Sequence, residues 1–84
     1  MIPKIIHYCW FGGEDIPIYN QRIINEWRDS HPDFQIKIWN EENSPMDIPY
    51  MKNAASLSKW ANMSNYVRLH ALYVDGGVYM DTDF

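Results

Sequence analysis

The chain has a single cysteine, Cys9, among 84 residues, so no internal disulfide can form and no thiolate zinc cluster has its ligands. Lying within an apolar run, Cys9 reads as a small buried residue of a protein kept in a reducing compartment. Long hydrophobic runs are also missing. No stretch approaches the roughly 20 apolar residues that cross a bilayer, and Met1-Ile2-Pro3-Lys4 lacks the apolar core of a secretory leader. The expected location is cytoplasmic, with any membrane contact left to residues outside this stretch or to a partner. Basic residues are scarce as well. Seven Lys and Arg against eleven Asp and Glu give a net charge of −4 without a basic cluster, which excludes nucleic acid as a partner, since a phosphate backbone needs a concentrated basic face.

Aromatic residues are plentiful, with four Trp and six Tyr, and favour a packed domain over a disordered tail. A chain this short has room for one core and buries only about 60% of its unfolded surface, which makes its stability marginal. Residues 4–11 are β-branched and aromatic, closed by Gly12-Gly13, and predict a strand followed by a loop. Tyr19, Ile23, Ile24 and Trp27 recur at helical spacing, with Asp15 and Pro17 as start signals and His31-Pro32-Asp33 as the stop, predicting a helix over Ile18–Ser30. Residues 34–39 alternate apolar and polar, as a half-buried strand does. Strand, helix and strand of this length predict a right-handed parallel βαβ unit and hence an α/β fold. A short helix is expected over residues 50–57, after the two prolines Pro45 and Pro49.

A longer helix follows, from residue 61 to the glycine pair Gly76-Gly77. Met63, Val67, Ala71 and Val74 recur at helical spacing, and Tyr66, Leu69 and Tyr73 extend the apolar surface, predicting a mostly buried helix. Its least apolar stripe is Ala61, Ser64, Asn65 and Arg68, which share one face near the start. After the glycines a strand resumes and runs into Asp81-Thr82-Asp83. Alternate residues of a strand share a face, so Asp81 and Asp83 lie on one side about 6–7 Å apart. Two such acids repel unless a hard divalent cation sits between or beside them. Chance alone supplies an Asp-x-Asp in about one chain in four of this length, so the pair draws its meaning from the helix before it. In an open α/β sheet, ligands collect beyond the carboxyl ends of the strands, here residues 10–13, 39–41 and 81–83.

The pattern Ala61…Ser64-Asn65-Tyr66-Val67-Arg68-Leu69…Leu72-Tyr73-x-x-Gly76-Gly77-Val78-Tyr79-Met80-Asp81-Thr82-Asp83 resembles the sugar-binding region of DxD glycosyltransferases. Its nearest likeness is to glycosyltransferase family thirty-two, which contains capsular-polysaccharide transferases and initiating α-1,6-mannosyltransferases. Ile2-Pro3-Lys4-Ile5-Ile6-His7-Tyr8-Cys9-Trp10-Phe11-Gly12-Gly13 is similar to the first strand and loop of that family and of the related clostridial glucosylating toxins, and Trp27…Pro32-Asp33-Phe34…Trp39-Asn40 fits the same order. The resemblance implies the N-terminal, Rossmann-like nucleotide-sugar-binding half of a GT-A type fold over residues 1–84, without the acceptor-binding part. The implied parent reaction is retaining transfer of a sugar from a nucleotide donor to a saccharide or lipid-linked acceptor, in polysaccharide or capsule biosynthesis, with Mn²⁺ or Mg²⁺.

By that resemblance Trp10 stacks on the nucleobase, Gly12 and Gly13 let backbone approach the donor, and Asn65 and Arg68 contact the sugar. Asp83 would be the direct metal ligand, with Asp81 on the ribose, the metal or its water. No catalytic residue is assigned. The family normally carries an aspartate directly after the serine, where this chain has Asn65, which keeps the shape but loses the charge. Composition alone would make Trp10 a core residue and Arg68 a solvated or salt-bridged one. His7, His31 and His70 lack mutual metal-ligand spacing and read as structural, and Asp75 reads as a helix-end surface residue. The isolated chain is expected to have little turnover. The alternatives are a noncatalytic nucleotide-sugar-binding module or an inactive transferase remnant, followed by a domain that self-associates through an exposed sheet edge.

Overall fold

Four consecutive residues of the first strand, β1 (Ile5–Cys9), are buried, and that sets the layering, because a strand covered on both faces needs an element on each side. A computed structural model describes residues 2–81. Ile6 and Tyr8 point to one side, where they meet Ile24 and Trp27 of α1 (Ile18–Ser30). On the other side Cys9 joins Trp39, Met51, Ala54, Met63, Val67 and Ala71 in a second cluster, built with α2 (Pro49–Ser56) and α3 (Trp60–Asp75). The two apolar clusters are thus separated by the sheet itself.

Both partners of β1 run parallel to it. Strand β2 (Gln35–Trp39) pairs in the register Ile5 to Gln35 through Cys9 to Trp39, and β3 (Val78–Tyr79) pairs Ile6 with Val78 and His7 with Tyr79, giving the order β2-β1-β3. The expected parallel βαβ arrangement is therefore present, although β1 is shorter than the apolar run that announced it. Helix α1 has the expected bounds. Pro17 occupies its N-cap without a side-chain hydrogen bond, and Asp15 makes no cap. Helix α2 begins at Pro49, where a fixed φ and a missing N–H suit the first helical position.

One expectation about burial is corrected. Helix α3 is buried along one stripe instead of most of its surface, and Tyr19, part of the helical spacing of α1, is 70% exposed. Met63, Val67 and Ala71, four residues apart, are fully buried, whereas Leu69, Tyr73 and Val74 are exposed. The sheet and α2 cover a single stripe of α3, and its remaining face is exposed at Leu69, Tyr73 and Val74. Helix α3 ends at Gly76, whose N–H reaches the Leu72 carbonyl at 3.0 Å. Gly77 then has φ +91°, and a Cβ there would fall on the Ile5 carbonyl oxygen, so only glycine lets the chain turn this closely into β3.

Candidate functional site

Because all three strands are parallel, their carboxyl ends open on one edge, and two adjoining cavities of about 920 and 830 Å³ lie there. Both volumes fall within the roughly 300–1,000 Å³ of small-molecule clefts. Trp10, Gly12, Glu14 and Trp60 line both. The first cavity adds Gly13, the acids Asp15, Glu41 and Glu42, and Arg28. The second is lined by Ser64, Asn65, Arg68, Tyr79 and Asp81.

The loop after β1 is held from several sides. The backbone N–H of Trp10 donates to the Trp39 carbonyl at 2.9 Å, extending the sheet pairing by one residue, and its indole Nε1–H donates to the Glu14 carbonyl at 2.9 Å. The Gly12 N–H donates to Oε2 of Glu41 at 2.7 Å, a charge-assisted bond that ties the loop to the end of β2. On the opposite side Trp60 lies flush with Gly12, 3.3 Å from where a Cβ would stand. A larger residue at position 12 would push that indole out of the wall between the cavities.

From the start of α3 come Trp60, Ser64 and Arg68, four residues apart on one face, with Asn65 beside them. From β3 come Tyr79 and Asp81. The Tyr79 hydroxyl donates to Oδ1 of Asp81 at 2.9 Å, and the Arg68 guanidinium lies 5.7 Å from the centroid of the Tyr79 ring. Burial, the nearby Cys9 thiol and the Asp81 carboxylate all push the Tyr79 phenol above its ordinary range, so it stays a hydrogen-bond donor at any neutral pH. Burial likewise raises the Cys9 thiol, from 9.0 to about 11, against the smaller opposing effect of the nearby Tyr79 hydroxyl. Cys9 is therefore held as a neutral thiol in the wall of the second cavity.

The structure thus brings Trp10, Gly12, Asn65, Arg68 and Asp81 around one cavity and puts Gly13 in the adjoining one. Asp83 lies outside the described residues. Trp60, Glu41 and Tyr79 were not among the residues singled out from sequence. The spacing 60, 64, 68 would have found Trp60, while Glu41 had been noted only as part of a strand end. Among the described residues no group of three His, Cys, Asp or Glu could hold a metal alone. Asp81, exposed and at the rim, nonetheless suits a hard cation that takes one or two carboxylates and completes its shell with ligand phosphates and water.

Such a cleft, at the carboxyl edge of a parallel sheet and furnished with an arginine, an amide and a carboxylate, is the arrangement of a protein that holds a polar small molecule. The chain belongs to the family described as "Glycosyltransferase sugar-binding region containing DXD motif", which matches residues 17–84. Among curated proteins, inositol phosphoceramide mannosyltransferase 3 of Schizosaccharomyces pombe is 32% identical over 87 residues, covering 98% of this chain and 24% of that protein. The chain therefore spans about a quarter of the length of the curated relative it matches. No solved structure matches it. Among the described residues, no helix is long and apolar enough to cross a membrane.

Proposed function

We propose that residues 1–84 form the donor-binding part of a metal-dependent glycosyltransferase of the family thirty-two type, with a Rossmann-like GT-A topology. The intact protein would transfer a sugar from a nucleotide donor to a saccharide or lipid-linked acceptor. The observation that carries this reading is the convergence of Trp10, Gly12, Asn65, Arg68 and Asp81 on one cavity from three separate parts of the chain. The relative's name, which pairs a mannosyltransferase with an inositol phosphoceramide, supports a lipid-linked acceptor over a free saccharide.

Each residue has work suited to its chemistry. Trp10, its indole N–H already engaged by Glu14, offers a flat face to a nucleobase. Gly12 and Gly13 let main chain approach the donor. Arg68 makes paired hydrogen bonds to a phosphate or to sugar hydroxyls and stays charged when desolvated. Asn65 donates and accepts at the sugar from the next turn of helix. Asp81, and Asp83 beyond the described residues, would hold Mn²⁺ or Mg²⁺. When bound, such an ion neutralises the diphosphate and stabilises its departure from the sugar. One feature favours a second reading, a noncatalytic nucleotide-sugar-binding module: Asn65 lines the cavity where the resemblance implies an acid.

The test is calorimetric titration of the folded chain with UDP- and GDP-sugars, first with Mn²⁺ and then with chelator. Binding that Mn²⁺ strengthens and chelator weakens supports the donor-site reading. No binding to any donor, from a chain shown to be folded by circular dichroism, overturns it.

A further inference from the structure

Arg68 and Asp81 sit on different elements, one on the exposed flank of α3 and the other just past the end of β3, yet both meet the same side chain. The Tyr79 hydroxyl donates to Oδ1 of Asp81 at 2.9 Å, and its ring stands 5.7 Å from the Arg68 guanidinium carbon. The second distance is within the roughly 6 Å at which a cation is drawn to an aromatic face. Tyr79 is itself fixed. It pairs with His7 in the parallel register, and its ring is half-buried against the cluster that contains Cys9. Neither Arg68 nor Asp81 has comparable support from burial, since both are exposed.

We propose that Tyr79 is the positioning residue of the site, holding the Asp81 carboxylate by its hydroxyl and the Arg68 guanidinium by its ring so that the two opposite charges face the same cavity. This rests on the donor-site reading for its consequence, but not for its geometry. A hydrogen bond to Oδ1 leaves Oδ2 available to a ligand and fixes the rotamer of a side chain that solvent would otherwise average. The aromatic face does the same for a long, rotamer-rich arginine. The ordering entropy of both groups is then met in folding instead of in binding. The two attachments use different atoms of one residue, so they can be separated by substitution: Tyr79→Phe removes the hydroxyl and keeps the ring, whereas Tyr79→Leu removes both.

The geometry is tested without ligand by nuclear magnetic resonance on the chain and the two variants. In the unaltered chain, Asp81 should show one χ1 rotamer by its three-bond couplings, and the Arg68 Hδ protons an upfield ring-current shift. Tyr79→Phe should average the Asp81 couplings and keep the Arg68 shift, and Tyr79→Leu should lose both. An averaged Asp81 before substitution, or an Asp81 unchanged by Tyr79→Phe, overturns the proposal. The consequence is tested by calorimetry with UDP and GDP. Tyr79→Phe should weaken Mn²⁺-dependent binding about three- to tenfold, the loss expected for one hydrogen bond, and leave metal-free binding unchanged. Equal loss with and without Mn²⁺ would mean a merely structural role and overturn the proposal. If the unaltered chain binds neither nucleotide under any condition, the donor-site reading fails and the rotamer measurement alone decides the geometry.

Discussion

The indole Nε1–H of Trp39 donates to Nδ1 of His7 at 3.0 Å inside the sheet, and Nε2 of the same imidazole lies 2.7 Å from the carbonyl oxygen of Gly76. An indole nitrogen only donates and a carbonyl only accepts, so the two contacts fix His7 as the neutral Nε2–H tautomer. One fully buried ring thereby joins β1 to β2 and to the turn that launches β3. Replacing it with leucine of similar volume strands an indole N–H and a carbonyl at once, and each buried unpaired group costs about 1–3 kcal/mol. His7→Leu is therefore expected to destabilise the chain by about 2–4 kcal/mol in urea titration, much of what a domain of this size has. His7→Gln, which offers both a donor and an acceptor, should recover part of it. A loss under about 0.5 kcal/mol in His7→Leu would show that water replaces both partners.

Gly77 supplies a second test of the same turn. A Cβ at Gly77 would collide with the Ile5 carbonyl oxygen, whereas one at Gly13 would meet nothing within 4 Å, and both residues have positive φ, +91° and +77°. Gly13→Ala should cost about 1 kcal/mol from backbone strain alone. Gly77→Ala should cost about 3 kcal/mol or more, because main chain must also shift. Thermal unfolding of the two variants measures the difference, and equal losses would mean that β3 is free to move away from β1.

The Cys9 thiol gives a pH dependence with a definite sign. Its value is raised from 9.0 to about 11 by burial, so the native state holds the proton more tightly than the unfolded chain does. Stability from this group is complete below pH 9.0 and declines as pH rises toward about 11. At pH 8 the same shift lowers the thiolate fraction about a hundredfold. Alkylation by iodoacetamide should be slower in the native chain by at least that factor, and Cys9→Ala should remove the part of the decline that sets in near pH 9.0, leaving the later part that the raised Tyr79 phenol contributes. Native labelling as fast as in urea would contradict the burial of this residue.

Much of the fold is encoded in local signals. The bounds of α1 follow from Pro17 and from His31-Pro32, which act within a residue or two of where the helix starts and stops. The strand preceding Asn40 follows from alternation, and the parallel pairing from the length of the crossover. The outer face of α3 was misread because periodicity counts apolar residues without knowing which neighbours exist: Leu69, Tyr73 and Val74 fit the pattern but have no described element to cover them. Contacts between distant positions were equally invisible. Glu41 reaches Gly12 across 29 residues, and Asp75, read as a surface residue at a helix end, pairs with Lys37 at 2.8 Å across 38. At the site, the polar stripe of α3 announced Ser64, Asn65 and Arg68, while Trp60 escaped because it stands one position before the stretch read as helix.

The identity of residue 65 separates the two functional readings. Asparagine and aspartate share a shape, but a carboxylate accepts hydrogen bonds from sugar hydroxyls more strongly, and it stands one turn from the Arg68 guanidinium. If the cavity holds a nucleotide sugar, Asn65→Asp should raise the preference for the sugar nucleotide over its parent nucleoside diphosphate about three- to tenfold, the gain expected for converting a neutral hydrogen bond to a charged one. The nucleoside diphosphate itself should bind as before, since the change faces the sugar. Arg68→Ala, which removes a paired donor and a charge together, should weaken both ligands about tenfold or more. Calorimetry with Mn²⁺ reads all three quantities. An unchanged preference in Asn65→Asp, with Arg68→Ala still damaging, would place residue 65 outside the sugar's reach and favour a module that holds the nucleotide without engaging its sugar. Unchanged affinity in Arg68→Ala would mean that the donor does not occupy this face of α3.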